Sequence, residues 1–223
     1  MDNMDFDFIP FPLVSTEAPD FEATAVMPDN SFKEDFKLSD YRGKYVVMFF
    51  YPLDFTFVCP SEIIAFDKKL EEFKSRGVEV IGVSTDSHFS HWAWKNTPVE
   101  NGGIGNVQYP LVADFQKTIS QDYGVLLEGG MALRGTFLID PEGRLMNVEV
   151  NFHNLGRNIE DSLRKAPERH ADAEEAPVGL FVGPCRLDRR PRLVDRIHLD
   201  DQRSTAGRCH VWRLHGIEVP GSP

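Results

Sequence analysis

The feature that most constrains this chain is a continuous apolar run at residues 45–51 (YVVMFFY), which Pro52 ends. Because it lacks polar residues at every second position, such a run is typical of a strand buried on both faces of a sheet. A second buried strand is predicted at residues 78–84, directly after Gly77. The chain is therefore predicted to fold around a sheet whose inner strands are covered on both sides.

Strands and helices alternate around these two runs as far as Lys165. The predicted elements are a helix at 61–76, strands at 78–84 and 109–113, a helix at 88–96, a helix capped by Asp114 and ending near Tyr123-Gly124, strands at 133–139 and 144–150 around a turn at 140–143, and a helix at 158–165. This order predicts a mixed central sheet flanked by helices. It is the layout of a thioredoxin-like α/β fold, although the pattern alone does not separate that fold from other mixed α/β folds.

The character of the chain changes after Lys165. Residues 1–165 contain nine Lys and six Arg, whereas residues 166–223 contain nine Arg and no Lys. The later residues also show no sustained helical or strand period, and so no packed face is predicted for them. We therefore divide the chain into an N-terminal extension at residues 1–12, a thioredoxin-like domain at residues 13–165 and an atypical, poorly ordered tail at residues 166–223.

The charge and hydropathy of the chain exclude several classes of partner. A formal net charge of −11 argues against nucleic acid or an anionic membrane surface. No apolar stretch approaches the ~20 residues that a membrane span needs. The first eleven residues carry three Asp where a secretory signal peptide carries cationic residues. We therefore expect a cytoplasmic protein that binds neither nucleic acid nor membrane.

The three cysteines, Cys59, Cys185 and Cys209, are too few for a disulfide framework, and no CxxC motif is present. Their number indicates a reducing compartment in which cysteine chemistry is transient. Cys209 lies close to His210 and His215, but no second pair of ligands accompanies them. No metal site is therefore predicted.

Cys59 follows the first apolar strand and precedes a predicted helix, which places it in or near the first turn of that helix. Unpaired backbone N–H groups and the positive end of the helix dipole favour the thiolate there, and the thiolate is the reactive form of cysteine. Pro60 suits a helix start because its missing N–H would have no partner in that turn. The position also fits a small buried apolar side chain, and spacing alone leaves both interpretations open.

A longer motif decides between these interpretations. Residues 51–62 (YPLDFTFVCPSE) closely resemble the active-site segment of peroxiredoxins of the typical two-cysteine class, including its Pro-x-x-x-Thr-x-x-Cys core. The segments at 82–94, 109–114, 121–125 and 133–143, then Gly156-Arg157 and the helix to Lys165, resemble the same family in the same order. The resemblance covers residues 13–165.

The family's site residues carry over, by their places in these motifs, to Cys59, Thr56, Pro52 and Arg134, with Glu62 and Arg157 in supporting positions. The resemblance implies that the thiolate of Cys59 attacks a peroxide oxygen, forming a sulfenic acid and releasing water or an alcohol. It implies that Pro52 shields the sulfur and that Thr56 hydrogen-bonds the peroxide. Arg134 would supply a fixed positive charge, which a guanidinium keeps at any physiological pH.

The resemblance also implies an activity and a set of partners. They are the reduction of hydrogen peroxide and small organic hydroperoxides, a thioredoxin-type or flavoprotein disulfide reductase as electron donor, no metal or other cofactor, and a homodimer able to form rings. A chaperone or redox-signalling role is an alternative of a different class, and a peroxidase with impaired turnover is a third. His88 and His91 are interpreted as residues at the start of a helix rather than as a metal or acid–base pair.

The chain departs from the family pattern at the resolving cysteine, which should lie in a Val-Cys-Pro segment near residues 176–180. This chain has no cysteine there, and Cys185 in the sequence GPCR is the nearest candidate. Either the protein resolves its sulfenic acid with Cys185 or an external thiol, or the residues after Lys165 are read in a shifted frame. We favour the second explanation, and the DNA around codon 165 would decide.

Overall fold

The computed structural model describes residues 14–167, which form one seven-stranded sheet with helices packed against it. The strands are β1 Glu22–Val26, β2 Phe32–Lys37, β3 Tyr45–Phe50, β4 Val78–Ser84, β5 Leu111–Ala113, β6 Arg134–Ile139 and β7 Leu145–Asn151. The helices are α1 Cys59–Lys68, α2 Leu70–Ser75, α3 His88–Lys95, α4 Thr118–Asp122 and α5 Ile159–Lys165, with short 3-10 helices at Leu38–Tyr41 and Val99–Asn101.

The strand order is β2-β1-β5-β4-β3-β6-β7. The three inner strands β5, β4 and β3 run parallel, and every other neighbouring pair is antiparallel. Parallel neighbours need crossover connections, and α1 and α2 supply the one between β3 and β4. The mixed central sheet flanked by helices confirms the predicted architecture.

Strand β3 separates two apolar cores, because successive side chains of a strand point to opposite faces. Val47 and Phe49 face one core, where Phe49 stacks on Phe66 of α1 with ring centroids 4.2 Å apart. Met48 and Phe50 face the other core. The first core also contains the side chain of Cys59. Side chains of the apolar run that predicts the sheet therefore belong to the same core as the thiol.

The helix predicted at residues 61–76 begins earlier and is broken in two. It starts at Cys59, and Lys69, with φ −98° and ψ 1°, separates α1 from α2. Apolar residues on both sides of the break, among them Phe66 and Leu70, are buried in the same core. Helical spacing therefore indicated the buried face correctly but gave no sign of the break.

The hairpin of β1 and β2 was not predicted from the sequence. β2 (FKEDFK) is an edge strand in which Phe36 alone is fully buried. Charged residues are common on edge strands, where they oppose pairing with another chain. Because charged residues interrupt its sequence, β2 lacks the continuous apolar run that is typical of an inner strand. This strand thus carries little of the signal that identified β3.

The predicted N-terminal extension at residues 1–12 and nearly all of the predicted tail lie outside the described residues. The last helix of the described residues, α5, ends at Lys165 and is followed by Ala166 and Pro167. Within residues 14–167, no helix combines the length and apolar character needed to cross a membrane.

A buried lysine fastens helix α3 to the turn between β1 and β2. Lys95 is only 2% exposed, and its Nζ donates a hydrogen bond to the carbonyl oxygen of Met27 at 2.6 Å. Burial lowers the pKa of Lys95 to about 8, although the negative charges of Asp29 and Asp67 act in the opposite direction. The folded protein therefore binds the Lys95 proton less tightly than the unfolded chain does.

We predict that Lys95→Met changes how stability depends on pH. Between about pH 8 and pH 10.5 the unfolded lysine is protonated while the folded one is not, so the free energy of unfolding of the natural chain should rise with pH. The variant should lack this increase, which is on the order of 2 kcal/mol over the window. Urea unfolding across the window measures the difference. Lys44→Met, at an exposed pair with Glu79, is the control, and parallel curves for the natural chain and Lys95→Met would contradict the prediction.

Candidate active site

Cys59 is the first residue of α1 and follows the loop that leaves β3, as predicted from the sequence. Pro60 occupies the next position of the first turn. Tyr51, the first residue after β3, is held in place by a hydrogen bond from its amide to the carbonyl oxygen of Val83 in β4. The thiol of Cys59 is fully buried, so its chemistry is set by neighbouring protein groups rather than by bulk water.

Arg134 opens strand β6 and brings a guanidinium group to the thiol across 75 positions of sequence. Its Nη1 donates to the Sγ of Cys59 at 3.4 Å. On the other side its Nε donates to the carbonyl oxygen of His153 at 2.8 Å. Arg134 is 3% exposed. The predicted cysteine and arginine are therefore brought together, with the arginine held in a fixed orientation.

Glu62 joins the two buried arginines of the site. It lies one turn after Cys59 on α1, and its Oε2 accepts from Nη1 of Arg134 at 2.5 Å. Its Oε1 accepts from the backbone amide of Arg157 at 2.7 Å and lies 3.6 Å from the Nε of that residue. The two carboxylate oxygens thus fix α1, β6 and the loop before α5 relative to one another.

Arg157 is buried against the core beside Glu62. Its Nη2 donates to the carbonyl of Phe50, and its guanidinium carbon lies 5.2 Å from the centre of the Phe49 ring. Burial lowers the pKa of Arg157 to about 10, while the charge of Glu62 raises it and that of Arg134 lowers it further. Within residues 14–167, the Nε and Nη1 of Arg157 have no hydrogen-bond partner, so this part of the chain leaves two donors of the guanidinium unused.

The fixed charges around the sulfur of Cys59 leave a net positive charge. Two guanidinium groups and one carboxylate give one net positive charge when the thiol of Cys59 is neutral. This positive charge lies beside the sulfur, where it can stabilise negative charge that moves between the sulfur and a bound ligand.

Pro52 and Thr56 belong to the loop between β3 and Cys59. Pro52 is buried, and its role in shielding the sulfur stays a prediction. The hydroxyl of Thr56 donates to the carbonyl of Leu53 at 3.0 Å, and no hydrogen bond within residues 14–167 joins it to Cys59. Since its donor is already used, Thr56 can act toward a ligand as an acceptor. Its role toward the peroxide stays a prediction.

The other residues that the sequence offered as candidates for the site lie apart from the thiol of Cys59 or outside the described residues. The rings of His88 and Phe89 are in tilted contact at a centroid distance of 4.0 Å, and His91 is buried against Asp54. Within the described part of the chain no group of three acidic, histidine or cysteine side chains could hold a metal ion. Cys185, the candidate resolving residue, lies outside residues 14–167.

The contact between Asp54 and His91 was not predicted from the sequence. The two residues are 37 positions apart, and a hydrogen bond at that separation leaves no local pattern. The only available signal was the position of Asp54 inside the active-site motif, between Pro52 and Thr56.

We predict that Glu62→Gln destabilises the protein by about 3 kcal/mol, because it leaves buried guanidinium charges without their counter-ion. Urea unfolding at neutral pH measures the loss. Glu72→Gln is the matched control: Glu72 of α2 forms an exposed pair with Lys69, which lies just before that helix, and such pairs contribute about 1 kcal/mol or less. Equal losses in the two variants would show that the buried cluster does not hold the site together.

The chain was compared with known proteins. Residues 14–148 match the AhpC/TSA family. The chain is 57% identical over 152 residues to peroxiredoxin-1 of Gallus gallus, covering 68% of this chain and 76% of the relative. It is 52% identical over 174 residues to a peroxiredoxin of Cynops pyrrhogaster, covering 76% and 86%.

A solved structure gives the same result. The reduced 2-Cys peroxiredoxin of Plasmodium vivax superimposes with a TM-score of 0.67 at 50% identity, covering 70% of this chain and 80% of the other. At this identity the likeness extends beyond the arrangement of strands and helices, and it confirms the predicted thioredoxin-like fold. This chain belongs to the AhpC/TSA family and is a peroxiredoxin.

Proposed function

We propose that this protein is a thiol peroxidase that reduces hydrogen peroxide and small organic hydroperoxides at Cys59. The observation that carries the proposal is the guanidinium of Arg134, held 3.4 Å from the buried Sγ and oriented by Glu62. A fixed cation at the nucleophile stabilises the negative charge that moves onto oxygen during attack.

In the first step, the sulfur of Cys59 bonds to one peroxide oxygen and the O–O bond breaks. The electron pair leaves with the second oxygen, which takes up a proton and departs as water or an alcohol. The sulfur is oxidised to a sulfenic acid, and the peroxide is reduced by two electrons. The guanidinium of Arg134 lies where the negative charge of the thiolate is displaced, and it needs no reorientation during the step.

Recycling requires a thiol that attacks the sulfenic acid, which gives a disulfide and water. Relatives from Drosophila melanogaster and Homo sapiens, each 55% identical, are named thioredoxin-dependent peroxide reductase. These names support a thioredoxin-type protein as the electron donor here, with a flavoprotein disulfide reductase as the alternative donor. Cys185 and an external thiol are the two candidates for the resolving group.

We also propose that the protein forms a homodimer, alone or within rings of dimers, in the cytoplasm. The edge strand β7 supports self-association, because no strand within residues 14–167 pairs with its outer edge and it exposes the apolar side chains of Met146 and Val150. A chaperone or signalling role of such assemblies is the second candidate function. Peroxide consumed per subunit, measured beside suppression of client aggregation, distinguishes the two.

We predict that Cys59→Ser abolishes peroxide reduction, because a serine hydroxyl is scarcely ionised at neutral pH. Peroxide consumption with thioredoxin and its reductase present is the measurement, and Cys209→Ser is the control variant. Retention of more than a few per cent of the natural turnover would overturn the assignment of Cys59.

We further predict that the full chain consumes one peroxide per subunit in a rapid burst and then cycles slowly. The residues that carry the first step precede Lys165, whereas the expected Val-Cys-Pro segment is missing. Sulfinic acid should therefore accumulate at Cys59 under excess peroxide, as measured by mass spectrometry with and without thioredoxin. A high yield of Cys59–Cys185 disulfide that supports fast turnover would contradict this prediction and identify Cys185 as the resolving residue.

A further inference from the structure

Pro60 follows Cys59 in the first turn of α1, and its backbone nitrogen carries no proton. The first amides of a helix have no acceptor within the helix, so a proline there loses no helical hydrogen bond. Other good helix formers open helices as well, and the helix alone therefore does not demand a proline at this position. The chemistry of the neighbouring sulfur gives the missing proton a second consequence.

The sulfenic acid formed at Cys59 has no second thiol among the described residues. Cys59 is the one free cysteine of residues 14–167, and the Val-Cys-Pro segment expected near residues 176–180 is missing. The side chain of Cys59 is also fully buried. The oxidised sulfur must therefore wait for Cys185 or an external thiol, and slower reactions within the chain have time to compete.

One competing reaction is condensation of the sulfenic acid with a backbone nitrogen, which gives a sulfenamide. An S–N bond forms while the S–O bond and the N–H bond break, the hydroxyl and the proton leave as water, and no oxidant or reductant is consumed. With the nitrogen of the next residue, the product is a five-membered ring through the Cβ, Cα and carbonyl carbon of the cysteine. The cysteine's own nitrogen would give a strained four-membered ring, so the nitrogen of residue 60 is the one placed to react.

The surroundings of the sulfur would promote this condensation if residue 60 carried a proton. Nη1 of Arg134 lies 3.4 Å from the Sγ of Cys59. There it can stabilise the negative charge of a departing hydroxyl as it does that of a departing peroxide oxygen. A nucleophile attached within the same chain can reach an effective molarity of about 10⁵ M, so even a weakly nucleophilic amide competes with a dilute external thiol.

Proline removes this reaction by its covalent structure. Its nitrogen is already bonded to three carbon atoms, which are its own Cα and Cδ and the carbonyl carbon of Cys59. A bond to sulfur would leave that nitrogen positively charged with no proton to release, so water could not be lost and the ring could not form. The effect depends on the absent N–H and not on the shape of the side chain.

We propose that Pro60 determines the fate of oxidised Cys59, because it denies the sulfenic acid the backbone N–H with which it would form a cyclic sulfenamide. This inference rests on the proposed peroxidase function, which generates the sulfenic acid. The oxidised sulfur is thereby kept as a sulfenic acid for a thiol to attack. This role is separate from the fixed backbone angle through which proline favours the start of a helix.

The test compares the full chain with Pro60→Ala and Pro60→Ser, each of which places an N–H at position 60. Every protein of the set also carries Cys185→Ser and Cys209→Ser, so that no disulfide can form within the chain; the protein with these two changes alone is called the parent. One equivalent of hydrogen peroxide is added to reduced, thiol-free protein at neutral pH. Mass spectrometry of the intact chain then follows Cys59: a sulfenic acid is about 16 Da heavier than the thiol, and a sulfenamide about 2 Da lighter.

Both variants should convert most of their oxidised Cys59 to the lighter product, and the parent should form none. Fragmentation should place the mass change at Cys59 and residue 60. Dithiothreitol should return the lighter product to the mass of the thiol, because a thiol attacks the sulfur of a sulfenamide and opens the ring, whereas a sulfinic acid is not reduced by thiols.

Two controls separate the missing proton from the other effects of proline. Ser61→Ala changes the next residue of the first turn, whose hydroxyl donates to the carbonyl of Val58 at 2.8 Å, and leaves the nitrogen of residue 60 unchanged. The second control replaces Pro60 by lactate, the hydroxy-acid analogue of alanine. Its ester oxygen carries no proton, while its side chain and its backbone freedom match those of Pro60→Ala. Neither control should form the lighter product.

The outcomes separate the two proposals. If the parent forms no sulfenic acid at Cys59, the peroxidase function fails. If it does, and the lighter product appears in Pro60→Ala and Pro60→Ser but in neither control, the role of Pro60 is supported. A lighter product in the parent or in the lactate protein would overturn it, as would a stable sulfenic acid in both variants. Pro60→Ser retains the test if Pro60→Ala does not fold.

Discussion

The site depends on one carboxylate, that of Glu62, buried between two arginines. Burial of a guanidinium charge without a counter-ion costs free energy, and this pocket holds two buried guanidinium groups, those of Arg134 and Arg157. Glu62 reduces that cost and at the same time fixes the start of β6 and the loop before α5 against the first turn of α1. The remaining single positive charge is available to the sulfur of Cys59. Structure and reactivity thus rest on the same ion pairs.

The interior of the domain could be predicted from sequence because burial leaves regular patterns. Apolar runs located β3 and β4, and Asp114 was correctly expected to cap the helix that follows it: its carboxylate accepts from the amides of Ile119 and Ser120. Cys59 was placed at a helix start by the preceding strand and by Pro60. In each case the sequence pattern and the interaction that it predicts lie within the same short stretch of chain.

The features that escaped prediction arise from tertiary contacts. The edge strand β2 has too few buried residues to show a period, and the break at Lys69 leaves the buried face of the helix unchanged. Cys59 and Arg134 come close together because of the order of strands in the sheet. The sequence predicted that the two residues share a site only through the family resemblance. The contact of Asp54 with His91 depends on where α3 lies beside β5, and no spacing in the chain encodes that.

Cys59 belongs to the apolar core that contains Phe49 and Phe66 as well as to the reactive site. Protein interiors are packed so closely that one added heavy atom displaces neighbours or forces strained rotamers. Oxidation adds such an atom to the sulfur, so each catalytic turnover has the physical effect of a small-to-large core mutation that the reductant later reverses. The reduced state is therefore also the better-packed state, and the redox equilibrium of Cys59 and the folding stability of the domain are thermodynamically linked.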